Sequence, residues 1–194
     1  PGRETLGQVI SLNGENVTVQ VFGGTKGIST NDKVRFLGHP MMVKYGNALL
    51  GRIFNGSGVP IDGGPEPVEE EIPIGGPSFN PANRGFPKQM IRTNIPMIDV
   101  FNSLVVSQKL PIFSIPGEPY NQLLARVGMQ AEADIIVLGG MGLKFDDYTF
   151  FKRTFEESGV MNRVIMFIHQ ASDPVVECLL VPDMALAVAE RFAE

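Results

Sequence analysis

The sequence predicts a mixed fold, in which an all-β barrel portion precedes an α/β portion built on a parallel sheet. Three observations support this division. Most of the 22 glycines and 15 prolines lie before residue 120. The first 54 residues form short β-like segments, and beyond residue 90 apolar strands alternate with amphipathic helices. We therefore expect a β-barrel portion at 1–60, a linker at 61–89 and a partial α/β domain at 90–194.

The N-terminal part opens with a predicted hairpin. An apolar run at 9–12 is followed by Asn13-Gly14 and then by Val17, Val19 and Val21, which alternate with polar residues. Further β-like segments follow at 33–37, 41–44 and 48–54. Short strands at this spacing are typical of a small barrel or sandwich.

Chain-breaking residues dominate the region 55–87. Residues 55–65 read Asn-Gly-Ser-Gly-Val-Pro-Ile-Asp-Gly-Gly-Pro, which is too rich in glycine and proline for regular structure. The acidic run Glu69-Glu70-Glu71 is interpreted as a solvated loop. We expect an irregular segment that its prolines stiffen.

The α/β part is predicted from alternating periodicities. Helices are expected at 95–104, 122–131, 147–157 and 182–192, and strands at 110–113, 134–138 and 163–168. Tyr148, Phe151 and Phe155 share one helical face, and Gly139-Gly140 bounds the second strand. Pro182 is placed in the first turn of the last helix. Helices between strands indicate βαβ units on a parallel sheet.

Composition excludes several classes of protein. The net charge of −5 argues against a general nucleic-acid or anionic-membrane binder. One cysteine and two histidines exclude a disulfide framework and leave little for a metal site. No apolar run reaches the ~18–20 residues of a membrane-spanning helix, and there is no signal peptide. A soluble intracellular chain is expected, cut or processed from something longer because it begins at Pro1.

The most informative segment is the turn between the strand expected at 110–113 and the helix after it. A phosphate-binding loop at such a place has the pattern Gly-x4-Gly-Lys-Ser/Thr, whose backbone N–H groups, lysine and hydroxyl hold phosphates and Mg²⁺. Here Ser114 and Pro119 occupy the glycine positions, while Tyr120 replaces the lysine and Asn121 the hydroxyl residue. Gly117 lies between them. We interpret these five residues as a vestigial phosphate-binding loop, with no catalytic residue and no metal ligand in the chain.

Four stretches, together with this loop, resemble a known family. They lie at 50–65 (Leu-Gly-Arg-Ile-Phe-Asn-Gly-Ser-Gly-Val-Pro-Ile-Asp-Gly-Gly-Pro), 90–104, 108–114 and 171–190. The chain closely resembles the non-catalytic B subunit of V-type and archaeal-type rotary ATPases over nearly its whole length. The family's Gly-Leu-Pro-His-Asn turn is Gly-Glu-Pro-Tyr-Asn here, at 117–121.

The resemblance implies a fold, a role and partners. It implies a rotary-ATPase core fold related to P-loop NTPases, in which residues 90–194 are a partial α/β nucleotide-binding-like domain, incomplete at its C-terminus. It also implies a regulatory subunit that forms a wall of the catalytic site of the A subunit in an A3B3 ring, and that contacts central stalk subunits. No cofactor is expected on this chain, since Mg with ATP or ADP would lie at the interface with the A subunit. The complex would be peripheral, on the cytoplasmic side of a membrane, and would couple ATP hydrolysis or synthesis to proton or sodium transport.

Two other functions stay open at the level of sequence. The chain could belong to a catalytic P-loop ATPase subunit of a rotary or secretion-type ATPase, although the missing lysine at position 120 disfavours this. It could also be an interaction module built on the same fold. Asp146-Asp147 is interpreted as a helix-start pair, His169 as a structural histidine, and Ser172-Asp173-Pro174 as a helix cap.

Overall fold

A computed structural model describes residues 4–75 and 85–194. It confirms the predicted hairpin, which consists of β1 (Gly7–Asn13) and β2 (Asn16–Val21), paired antiparallel. Gly14 takes φ of 60° in the two-residue turn, a conformation that glycine adopts without strain. The pairing register shifts between Val9 and Ser11.

A second antiparallel pair joins β3 (Met42–Tyr45) to β5 (Glu70–Pro73). Lys44 and Glu71 face each other across this pair and form an ion pair of 2.8 Å. The expectation of a solvated loop for the acidic run is therefore wrong in part, because Glu70 and Glu71 belong to a strand within the segment predicted to be irregular.

The α/β portion is built on a three-stranded parallel sheet. Its strand order is β4 (Ile53–Asn55), β7 (Val164–Gln170) and β6 (Ile136–Leu143). The helices are α1 (Pro96–Phe101), α2 (Tyr120–Gln130), α3 (Phe145–Glu157) and α4 (Val175–Ala193), with short 3-10 turns at Asn47–Leu49 and Met161–Arg163. The parallel sheet and its helices confirm the predicted α/β class.

The central strand β7 carries the core on both of its faces. Ile165 and Phe167 pack with Phe54 against α4, whereas Met166 packs on the other face against α3 and its buried Phe155. Helices on both faces explain why β7 is continuously apolar from Val164 to Ile168 rather than alternating. The predicted stripe of Tyr148, Phe151 and Phe155 is buried, as expected.

Several strand expectations are wrong. Residues 33–37 and 110–113 form no strand. Residues 48–54 divide into a 3-10 turn and β4, and β4 pairs with β7 in the parallel sheet rather than with the antiparallel strands. Its partner is set by a distant contact, which the local pattern does not contain. The domain boundaries at residues 60 and 90 stay a prediction.

Two further expectations about the C-terminal elements also fail. Strand β6 does not stop at Gly139-Gly140 but continues through both glycines, with a register shift between Gly140 and Leu143. Helix α4 begins at Val175, so that Pro182 lies inside it rather than in its first turn.

Candidate functional site

The predicted phosphate-binding loop leads into α2, whose first two residues are Tyr120 and Asn121, and it lines one open depression of about 460 Å³. The depression is lined by Ser114, Gly117, Tyr120 and Asn121, together with neighbouring residues that include Asp147 of α3. Of the five predicted site residues, Pro119 is the one outside this lining; it is the residue that immediately precedes α2.

Few backbone donors of this loop are free to meet an anion. Pro116 and Pro119 have no N–H group. The N–H of Glu118 donates to the Ile115 carbonyl at 3.3 Å, and that of Tyr120 donates to the Glu118 carbonyl at 2.8 Å. At most half of the eight residues at 114–121 therefore offer a backbone donor to a ligand.

The charged side chains that line the depression are both acidic. Glu118 comes from the loop and Asp147 from the first turn of α3, and no lysine or arginine is among the lining residues. Asn121, which the sequence pattern aligns with the magnesium-binding hydroxyl, donates from Nδ2 to Asp147 Oδ1 at 2.7 Å. The side chain thus ties α2 to α3.

A magnesium triphosphate is a poor match to this set of residues. Phosphate recognition relies on converging N–H donors and charge-assisted hydrogen bonds from a cation. The loop instead has two prolines and two internally bonded N–H groups, and two carboxylates line the depression. Its lining carries a negative charge where a triphosphate would need a positive one.

His169 and Asp173, which were also named from the sequence, form hydrogen bonds with the backbone. His169 Nδ1 accepts the N–H of Gly142 at 3.1 Å, which accounts for one ring nitrogen, while Nε2 is buried without a partner among the described residues. Asp173 is not a cap of α4, because the residue preceding that helix is Pro174. Its Oδ2 accepts the Gln170 N–H at 2.8 Å. In the described ranges, no cluster of three or more His, Cys, Asp or Glu residues is arranged to hold a metal ion.

The sequence reasoning gave no site role to Arg52 and Asp62, which form a two-point ion pair. Arg52 Nε donates to Asp62 Oδ2 at 2.5 Å, and Nη2 donates to Oδ1 at 3.0 Å. Nη2 also donates to the Pro65 carbonyl at 2.8 Å. The pair anchors the glycine-rich segment 55–65 beside β4, and the hydrogen bond from Arg52 lowers the pKa of Asp62 to about 2.

Comparison with protein families identifies the chain. Residues 94–194 match the model of the ATP synthase alpha/beta family, nucleotide-binding domain. The chain belongs to this family. Residues 1–38 match the beta-barrel domain of the ATP synthase alpha/beta family. Together the two matches confirm the predicted order of a barrel portion followed by an α/β portion.

Two curated relatives of this ATP synthase alpha/beta family member are V-type ATP synthase beta chains. The chain is 64% identical to the V-type ATP synthase beta chain 1 of Treponema pallidum over 190 residues, and 64% identical to the V-type ATP synthase beta chain of Treponema denticola over 189 residues. These matches cover 98% and 97% of the chain but 44% of each relative. The chain therefore spans less than half the length of these relatives. The resemblance to V-type B chains is confirmed.

Solved structures give the same architecture. An ATP synthase subunit, NeqB from Nanoarchaeum equitans, superposes with a TM-score of 0.72 at 29% identity, covering 78% of this chain and 37% of that one. The type III secretion ATPase EscN of enteropathogenic E. coli gives a TM-score of 0.88 at 23% identity, covering 97% and 46%. At this identity the second likeness concerns the fold alone.

A helix that crosses a bilayer must be both long and strongly apolar. Within residues 4–75 and 85–194, no helix meets both conditions.

Proposed function

We propose that the chain is part of a non-catalytic, regulatory subunit of a V/A-type rotary ATPase. In this role it alternates with catalytic A subunits in an A3B3 ring and contributes a wall to each catalytic site. It couples ATP hydrolysis or synthesis to proton or sodium transport without cleaving ATP itself. The names of the relatives support the assignment to the complex, and the loop at 114–121 supports the non-catalytic role.

One observation carries the non-catalytic part of this proposal. The depression at the position of a phosphate-binding loop is lined by Glu118 and Asp147, and Tyr120 stands where the lysine is required. A triphosphate would meet like charge and would find no compensating cation on the loop. Mg with ATP or ADP therefore belongs at the interface with the A subunit, where that subunit supplies the phosphate-binding loop.

The partners and location follow from the same role. The chain contacts the A subunit and the central stalk subunits, binds no nucleic acid, and meets the membrane only through the assembled complex. That complex is peripheral and lies on the cytoplasmic side. A catalytic role on this chain is disfavoured, because restoring the missing chemistry would require a lysine at position 120 and a donor N–H at position 119.

The test is a calorimetric titration of the complete purified subunit with MgATP. We expect no binding in the micromolar range from the wild-type subunit. The double variant Pro119→Gly and Tyr120→Lys gains a donor and a cation, and we expect measurable, weak binding of inorganic pyrophosphate. The control is Phe86→Lys, which adds the same charge at a residue that is 92% exposed and outside the loop.

Two outcomes would contradict the proposal. Micromolar MgATP affinity of the wild-type subunit would contradict the vestigial loop. A complete subunit that does not co-elute with an A-type subunit in size-exclusion chromatography would contradict the role in the ring and favour a separate interaction module.

A further inference from the structure

A second cleft, which we call the α3–α4 cleft, opens at the carboxyl ends of β4 and β7. It has a volume of about 680 Å³ and lies between α3 and the first turn of α4. Ligands of open α/β sheets bind outside the carboxyl ends of the strands, and the volume lies within the ~300–1,000 Å³ of small-molecule pockets. The depression at the 114–121 loop shares none of its lining residues.

Glu177 is the unusual residue of this cleft. It lies in the first turn of α4 and is 91% buried, having 9% of its surface exposed. No hydrogen bond or ion pair from the described residues reaches its carboxylate. Among the described residues, His169 Nε2 is the only side-chain polar atom that is both fully buried and without a hydrogen-bond partner. The Glu177 oxygens also lack a partner but are not in that class, so they are not fully buried and keep contact with solvent. Glu177 is also one of the residues that line the α3–α4 cleft.

The backbone around Glu177 is fixed closely in place. The turn after β4 packs on it so tightly that a Cβ added to Gly56 would lie 2.6 Å from the Glu177 Cβ. Asn55 Oδ1 holds this turn by accepting the N–H groups of Ser57 at 3.0 Å and Val59 at 2.8 Å. The position of Glu177 is thus determined by the fold before any ligand arrives.

The remaining lining residues of the cleft fit a planar cation as the ligand. Asp173 supplies a second carboxylate, and its Oδ2 is already held by the Gln170 N–H. Lys152 also lines the cleft, but it forms no ion pair with a carboxylate of the described residues, so both acids keep oxygens available to a ligand. The rings of Phe145 and Tyr148, whose centroids are 6.1 Å apart, line the same cleft.

A largely buried carboxylate without an ion pair is less well solvated than an exposed one, and a cation placed against it compensates for this. A guanidinium group is more weakly hydrated than an ammonium, binds carboxylates in a bidentate manner and stacks on aromatic rings. We propose that the α3–α4 cleft is a guanidinium-binding site, with Glu177 as the principal carboxylate and Phe145 as the stacking ring.

The test is a titration of the complete subunit with N-acetyl-arginine methylamide, with the lysine analogue as the comparison probe. We expect saturable binding of the arginine probe and at least tenfold weaker binding of the lysine probe. Glu177→Gln should weaken binding of the arginine probe at least tenfold. The control Glu190→Gln changes an exposed glutamate of the same helix and should leave binding unchanged.

A stability measurement separates binding from folding. Glu177→Gln replaces an unpaired buried charge with a neutral amide, so its melting temperature should equal or exceed that of the wild type. If this variant does not fold, Phe145→Ala serves instead, because Phe145 is 66% exposed and contributes little to the core. We expect a threefold or greater loss of binding from Phe145→Ala. The proposal is overturned by absent saturable binding, by equal affinity for the two probes, or by equal losses in Glu177→Gln and Glu190→Gln.

A second arm identifies the source of the guanidinium and rests on the proposed function. If a neighbouring subunit supplies an arginine, assembly of the ring blocks the probe, and Glu177→Gln lowers the yield of ring. If the source is a free solute, the probe binds the ring and the isolated subunit equally. Either result supports the site. Because the first arm needs no ring, a failure of assembly counts against the proposed function and leaves the test of the cleft intact.

Discussion

Replacement of Asp62 by asparagine should destabilise the chain in a pH-dependent manner. The side chains of Asp62 and Arg52 are 14% and 18% exposed, so solvent screens their ion pair only weakly. Asp62 also accepts the N–H groups of Ile53 at 3.2 Å and Gly64 at 2.9 Å. Asp62→Asn removes the charge that all of these donors face, including the donor on the first residue of β4.

The magnitude follows from the pKa of Asp62. The Arg52 hydrogen bond is the largest cause of its fall from 3.8 to about 2, and the two backbone N–H groups lower it further. That difference corresponds to about 2.4 kcal/mol of folding stability at neutral pH. Because the folded pKa is depressed, this stability is present above about pH 5 and is lost as the pH falls through 3.8 towards 2. At pH 3 about 1.3 kcal/mol should remain.

The assay is urea unfolding at pH 7 and pH 3, followed by circular dichroism. We expect Asp62→Asn to lower the free energy of unfolding by about 2 kcal/mol at pH 7 and by about half as much at pH 3. Glu157→Gln is the matched control, since the Arg153–Glu157 pair is 75% and 63% exposed, and it should show no measurable change at either pH. A loss for Asp62→Asn that is equal at both pH values would refute the reasoning. So would a loss no larger than that of the control.

Two further substitutions test the packing described above. Gly56→Ala should lower the free energy of unfolding in urea by about 1–3 kcal/mol, because its Cβ would meet the Glu177 backbone oxygen at 2.8 Å. The control Gly75→Ala, whose Cβ would meet nothing within 4 Å, should be nearly neutral. Equal effects of the two substitutions would contradict the close packing at Gly56. Phe155→Ala should cost about 3–5 kcal/mol, because the ring is 1% exposed between α3 and the sheet, whereas Phe86→Ala should change stability by less than about 0.5 kcal/mol. A Phe155→Ala loss below about 1 kcal/mol would show that the α3 face of the sheet is not a packed core.

Local patterns predicted the elements whose contacts are local. Asn13-Gly14 indicated the hairpin because the turn and both strands lie within fifteen residues of each other. The aromatic stripe of α3 indicated the buried face of the helix, since a single period of 3.6 residues determines it. The loop at 114–121 was placed correctly at the start of a helix, because the change from breakers to apolar periodicity marks that boundary.

Elements that depend on distant partners could not be predicted from local sequence patterns. Strand β5 looked like a solvated acidic run, because the Lys44 that compensates Glu71 is far away in the chain. The last helix was expected to begin near Pro182, since proline is favoured in a first turn, but it extends through that residue from Val175. The α3–α4 cleft was not anticipated either, because residues from four separate elements form it.

The position of β4 in the sheet has a consequence for how the chain folds. Its register partners on β7 are more than a hundred residues away, Ile53 being paired with Met166. The neighbouring strands β6 and β7 are connected through α3 alone, so their pairing closes a much shorter loop and should form first. At ~5–20 residues per second a ribosome needs about 5–20 s to synthesise the intervening chain. During that interval Ile53 and Phe54, both 1% exposed in the folded chain, have no partner strand and present to solvent the apolar side chains that the completed sheet buries.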